Sequence, residues 1–298
     1  MAADLASALT RTVDHLASAI ESWERAVRDD VDDSVHRMRV STRTLRSVLQ
    51  VYAPLFEPTA AAEAGRALRR LGRRLSATRD AEVVLGLLEE RLLELPPEAS
   101  DLLRHKAIQR LRRRAATEHD RALARLHPAL DSPPHREDRL LITDFARDVP
   151  LASGPVTGDE VAATLAPFVL QRMATVDAMT KGAIAADAKG RVELLHETRK
   201  EAKRVRYAIT AVRDATDLDL GPEVSDRRLA ATQVHRALGD HRDSVMLGDF
   251  LLRAARRARG RGEDTFAHGL LYGRELSVQD DALQAVRQSV TAAPAIER

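Results

Sequence analysis

One pattern of four residues occurs twice in this chain of 298 residues, and it limits what the chain can fold into. His36, Arg39, Arg43 and Arg46, in "HRMRVSTRTLR", align without a gap on His196, Arg199, Lys203 and Arg206, in "HETRKEAKRVR". On a helix these positions fall at about 0°, 300°, 340° and 280°, inside an arc of about 80° and over a length of roughly 15 Å. Met38, Leu45, Leu49 and Tyr52 fall near the opposite side of the first copy, and Val205, Ile209 and Val212 near that of the second. Each helix can therefore bury one face and offer a basic stripe on the other.

The composition of the chain argues for helices throughout. Aromatic residues make up 3 % of it, Ala, Leu and Arg dominate, and no stretch alternates as a half-buried strand does. Leu5, Leu9, Val13, Leu16 and Ile20 mark one face of a first helix, which the acidic turn "RDDVDDS" ends. Further helices are expected from about Ser34 to Ala53, from Pro58, over "DAEVVLGLLEERLLEL" and from about 98 to 127. Residues 131–157, rich in Pro, Gly and Ser, read as a linker with room for a short helix. Thr157 and Glu160 then form a capping-box pattern, and helices follow to about 187, 191–215, 223–239, 243–259 and 263–292.

The expected architecture is an all-α protein of two helical bundles, residues 1–130 and 158–298, related by an internal repeat and a pseudo-twofold axis. "LSATRDAEVVL" matches "LGDHRDSVML", and the Arg-Asp pairs Arg79–Asp80 and Arg242–Asp243 sit at expected helix starts, where Asp can cap while Arg points inward. Two stripes facing each other across such an axis would line a central basic groove.

Charge is organised locally, since 47 basic and 45 acidic residues leave a formal charge of only +2. Between Ser34 and Arg79 there are ten arginines against Glu57 and Glu63. Arg66, Arg69, Arg70 and Arg73 share an arc of about 100°, which suggests a second basic helix beside the first. Two of only five lysines, Lys200 and Lys203, lie in the second stripe, and Tyr207 falls on the same face. Like charges at helical spacing repel by a few tenths of a kcal/mol per pair, so an acid-poor stripe written twice implies a polyanionic partner. Arginine's planar fork suits phosphate oxygens, and histidines beside phosphate tend to protonate.

Other classes fit less well. Neither His36 nor His196 has a second His or a carboxylate four residues on, and with no cysteine a metal site is not expected. There is no Gly-rich phosphate loop, no nucleophile elbow and no tunnel-triphosphatase strand, so an enzyme is not expected and no cofactor is implied. Nucleic acid is the alternative partner, but stacking platforms are scarce and inward-facing stripes make a concavity rather than a convex reading helix. "RHKAIQRLRRR" at 104–114 and "RAARRARGR" at 253–261 lack counterparts and read as solvated faces. No apolar run is long enough for a membrane span and no leader stands at the N-terminus, so a cytoplasmic protein is expected.

The doubled histidine and Arg/Lys stripe, each copy followed by a Leu…Arg-Asp turn, resembles the CHAD family, the conserved histidine α-helical domains. The resemblance spans about residues 3–292. It implies two helical bundles about a central groove that binds inorganic polyphosphate, with the eight repeated residues lining it; from their place in the charge pattern, Arg73, Arg79, Lys200, Tyr207 and Arg242 are expected beside them. It also implies a stand-alone, non-catalytic module without the triphosphatase domain many relatives carry, with association with polyphosphate granules as one compatible role. Arg37 in the first copy against Glu197 in the second is a departure that implies unequal charge in the two halves.

Overall fold

The computed structural model describes residues 4–95, 105–152, 160–186 and 188–291. Among the described residues the protein is all-α. In chain order the helices are α1 (Leu5–Arg28), α2 (Ser34–Val51), α3 (Pro58–Leu93), α4 (His105–Asp131), α5 (Pro133–Arg147), α6 (Glu160–Ala185), α7 (Ala188–Thr216), α8 (Pro222–Arg259) and α9 (Phe266–Thr291), with a 3-10 turn at Ala53–Leu55. Phe56 and Leu151 form an isolated antiparallel bridge.

Helix ends follow local chemistry. The Asp4 carboxylate accepts from the Ser7 amide at 2.6 Å and caps α1. The acidic turn reverses the chain tightly, with Asp30 and Asp33 both in the left-handed region that Asp tolerates. Pro133 and Pro134 occupy the first turn of α5, where a missing amide hydrogen leaves nothing unsatisfied. That is why a 15-residue helix stands in the segment expected to be mostly linker.

Two expected helix breaks are absent. The third and fourth expected helices are one 36-residue helix, α3, and those at 223–239 and 243–259 are one 38-residue helix, α8. Between Pro58 and Pro96, and between Pro222 and Arg259, the sequence holds no proline, and a single Gly or Asp costs a helix too little to end it. Asp80 and Asp243 therefore lie inside helices and cap nothing. The capping pattern at Thr157 lies outside the described residues.

The chain forms two compact units that do not follow the halves read in the sequence. One comprises residues 1–76 and 127–235, the other 77–126 and 236–298. The boundaries fall inside α3, α4 and α8. In the first unit α1, α2 and α7 pack together, and α6 lies on α7. Leu5, Leu9, Val13, Leu16 and Ile20 are all buried, as are Met38, Leu45, Leu49, Tyr52, Val205, Ile209 and Val212. Each such side chain contributes roughly 1.5–3 kcal/mol when fully buried, which fixes the rotation of α2 and α7. The second unit has its own core, with Leu88, Leu111, Leu247, Phe250, Leu251 and Leu271 at its centre.

No helix among the described residues is long and apolar enough to cross a membrane.

Candidate polyanion site

The first unit contains both stripes, because α2 and α7 pack directly on each other. Their apolar faces fix the contact, and the basic residues follow from the helical period.

The stripes meet at Tyr207. The Arg43 guanidinium from α2 stands 5.3 Å from the centre of its ring, and the Arg206 guanidinium from α7 stands 4.6 Å from it. All three side chains are half-buried. Two like charges share one aromatic platform, whose ring attracts each of them. The Arg206 Nε is buried and has no hydrogen-bond partner among the described residues.

Arg46 lies one turn beyond Arg43 and is half-buried. No described carboxylate pairs with it. Burial pushes its guanidinium below the ordinary value, and the charges of Arg204, Arg69 and Arg43 push the same way. An arginine stays protonated regardless, so the site holds a desolvated cation crowded by three others. An anion placed there would relieve the repulsion.

Other stripe residues have work inside the protein. Arg39 donates to the Gly72 carbonyl at 3.1 Å and to the Ser76 hydroxyl at 2.6 Å, tying α2 to α3. Arg199 is only 8 % exposed and so lies within the packed protein. Lys200 is exposed and pairs with Glu197 at 2.6 Å. His36 and Lys203 are half-buried, and Arg73 is exposed on α3. His196 lies on α7, but its side chain is outside the described residues.

Arg79 and Arg242 belong to the second unit. Arg79 pairs with Glu82 at 3.1 Å, and Arg242 reaches Asp80 at 3.5 Å. The Asp of the first Arg-Asp motif thus serves the Arg of the second.

The basic face expected on α3 is divided. Arg70 donates to Asp138 at 2.7 Å and Arg74 donates to the same carboxylate at 2.6 Å, so these two arginines anchor α5. Arg69 remains near Arg46, where its charge is felt. The difference expected between Arg37 and Glu197 is muted locally. Arg37 pairs with Asp33 at 2.9 Å and lies 5.8 Å from the Trp23 ring, while Glu197 is held by Lys200.

Arg204 was not visible as a site residue in the sequence. It lies about 80° from His196 on the helix, off the stripe, and its pairing with Glu201 three residues earlier makes it look local. Arg172 is similar: it binds Glu201 at 3.1 Å and the Gln50 carbonyl at 3.1 Å, joining α6, α7 and α2.

Among the described residues no group of three His, Asp or Glu side chains is placed to hold a metal ion.

Residues 11–252 match the family model described as CHAD domain. The chain belongs to the CHAD family. Two uncharacterized proteins of Mycobacterium tuberculosis, MT2285 from strain CDC 1551 / Oshkosh and Rv2226 from strain H37Rv, are each 35 % identical to it over 280 residues. The match covers 91 % of this CHAD chain and 50 % of each relative, so the chain spans about half the length of the curated relatives it matches. Among solved structures, PptA from Streptomyces chartreusis superposes with a TM-score of 0.72 at 19 % identity, covering 96 % of this chain and 99 % of that one. The crystal structure of the CHAD domain from the plant Ricinus communis superposes with a TM-score of 0.66 at 22 % identity, covering 99 % and 94 %. At those identities the two structures establish a shared all-α fold.

Proposed function

We propose that this CHAD protein binds inorganic polyphosphate through the basic faces of α2 and α7, as a non-catalytic module that tethers or scaffolds, with polyphosphate granules as one place it would act. The observation that carries the reading is the meeting of the two stripes: Arg43 and Arg206 share the Tyr207 ring, and Arg46, which has no acid partner among the described residues, feels the charges of Arg43, Arg69 and Arg204.

A linear phosphate chain answers what that cluster lacks. Its closely spaced charges neutralise several guanidinium groups at once, and each charge-assisted hydrogen bond is stronger than a neutral one. The aromatic ring holds the flat faces of Arg43 and Arg206, which leaves their edges to donate to oxygens. His36, Arg39, Lys203 and Arg73 would flank this centre, with His196, Arg199 and Lys200 further contributors on α7.

The test is calorimetric titration with long-chain polyphosphate at two salt concentrations, with duplex DNA of matched charge as the comparison. Tight, salt-weakened binding to polyphosphate in preference to DNA supports the proposal. Equal binding to both would reduce the stripes to a general basic surface and favour the nucleic-acid reading.

A further inference from the structure

The two basic clusters that read as separate solvated faces come together in the second unit. Arg110, Arg113, Arg114 and Arg121 from α4 and Arg257 from α8, with Arg261 just beyond α8, line one cleft of about 540 Å³. Its size is that of a small-molecule site, roughly 300–1,000 Å³. Leu111, Ala254 and Ala258, all buried, form part of its wall.

The charges in the cleft are only partly balanced. Glu263 is held by Arg110 at 3.2 Å and by Arg261 at 3.2 Å, and Glu118 by Arg114 at 3.1 Å. Asp264 is the third acid in the lining, and it accepts from the Phe266 amide at 2.8 Å at the start of α9. Arg113, Arg121 and Arg257 make no ion pair among the described residues.

A second observation points to a ligand. His268, in the first turn of α9, lines the same cleft and is only 6 % exposed. Its Nδ1 is buried without a hydrogen-bond partner among the described residues, an omission that ordinarily costs about 1–3 kcal/mol. Burial holds the imidazole below its ordinary value, although Asp264 and Glu263 pull the other way.

We infer that this cleft is a second anion site, distinct from the α2–α7 stripes, that takes a compact chain of two or three phosphates, either free or carried on a small molecule. Three arginines without acid partners match the charge of such a group, and the acids set among the basic residues interrupt any track for a longer chain. Phosphate oxygens would accept from Arg113, Arg121 and Arg257 together. The cleft has no Phe, Tyr or Trp in its lining, so recognition rests on the phosphates rather than on a stacked base.

The experiment titrates the full chain with tripolyphosphate and, separately, with ATP in the absence of metal. It uses a background, Arg46→Glu/Arg206→Glu, in which the stripes are disabled. One site per chain is expected to survive there, and adding Arg113→Glu/Arg257→Glu should weaken it at least tenfold. Both of these arginines are exposed, so the helical circular dichroism should be unchanged, and the milder Arg113→Ala/Arg257→Ala pair repeats the test. ATP binding as tightly as tripolyphosphate assigns the site to a phosphate tail on a carrier; tripolyphosphate alone assigns it to a free oligophosphate. No binding in the stripe-disabled background, or affinity untouched by the added substitutions, overturns the inference while leaving the stripe proposal standing. Conversely, full long-chain polyphosphate binding in Arg46→Glu/Arg206→Glu removes the stripe proposal and leaves this site to be judged on tripolyphosphate alone.

Discussion

Arg43 of α2 and Tyr207 of α7 meet with the guanidinium 5.3 Å from the ring centre, although 164 positions separate them in sequence. Arg206 reaches the same ring at 4.6 Å. The ring's use here is its face, so the hydroxyl is dispensable. Tyr207→Phe is expected to bind polyphosphate as the natural protein does, whereas Tyr207→Ala is expected to lose about fivefold to tenfold in affinity, the scale of one or two cation–π contacts. Calorimetric titration of both variants checks this, and equal losses would assign the effect to the hydroxyl.

Arg46 should oppose stability and binding to each other. Replacing a desolvated, crowded cation by a side chain of similar length and no charge, as in Arg46→Met, is expected to raise unfolding stability by about 1 kcal/mol. The same change should weaken polyphosphate binding by about tenfold, one lost charge-assisted contact. Chemical denaturation and titration of the variant measure the two effects, and a loss of stability would show that Arg46 has a structural partner.

Asp138 gives a stability prediction separate from binding. Its side chain is 2 % exposed; burial alone would raise its carboxyl, but hydrogen bonds from Arg70 and Arg74 outweigh burial and hold it below its ordinary value. A carboxyl whose folded value is depressed contributes stability in full above its unfolded value, near 4, and loses it as pH falls through the folded value. Glu24 behaves alike: burial raises it, yet His135 and Arg28 bring it lower overall. Thermal unfolding should therefore become steeply easier below about pH 4. Asp138→Asn should cost about 1–3 kcal/mol at pH 7, by removing the charge and one of the two carboxylate oxygens that accept from Arg70 and Arg74. It should also flatten the acid dependence, and an unchanged profile would place the acid-sensitive group elsewhere.

Arg242 and Asp80 are both partly exposed and 3.5 Å apart, so their ion pair is expected to be weak. Arg242→Ala should change unfolding stability by less than about 1 kcal/mol. Because an acid already neutralises it, Arg242 should also matter less to polyphosphate affinity than Arg46 does; a larger loss than that of Arg46→Met would reverse this ranking.

What could be read in the sequence is what a single helix decides. The buried faces through Leu9, Met38 and Val205 depend only on the period of 3.6 and stand as expected, whereas Arg199, which the same period puts on the second stripe, is only 8 % exposed. Continuity was harder to read, because Asp80 and Asp243 look like caps when no neighbour is known and lie inside α3 and α8 once the long helices are seen. The compact units were hidden for the same reason, since their boundaries fall inside α3, α4 and α8 rather than in the Pro-rich segment. Arg204, Arg172 and the cleft around His268 depend on which helices become neighbours, and spacing along one helix does not carry that information.

The most direct test is the titration of long-chain inorganic polyphosphate into the natural protein and into Arg46→Glu/Arg206→Glu, with helical circular dichroism recorded for both. One substitution falls in each stripe, and neither residue has an acid partner among those described. An intact helical signal with affinity at least about 100-fold weaker, the loss of two charge-assisted contacts, is the predicted result. Unchanged affinity in a folded variant would contradict the assignment of the α2–α7 face as the polyphosphate site.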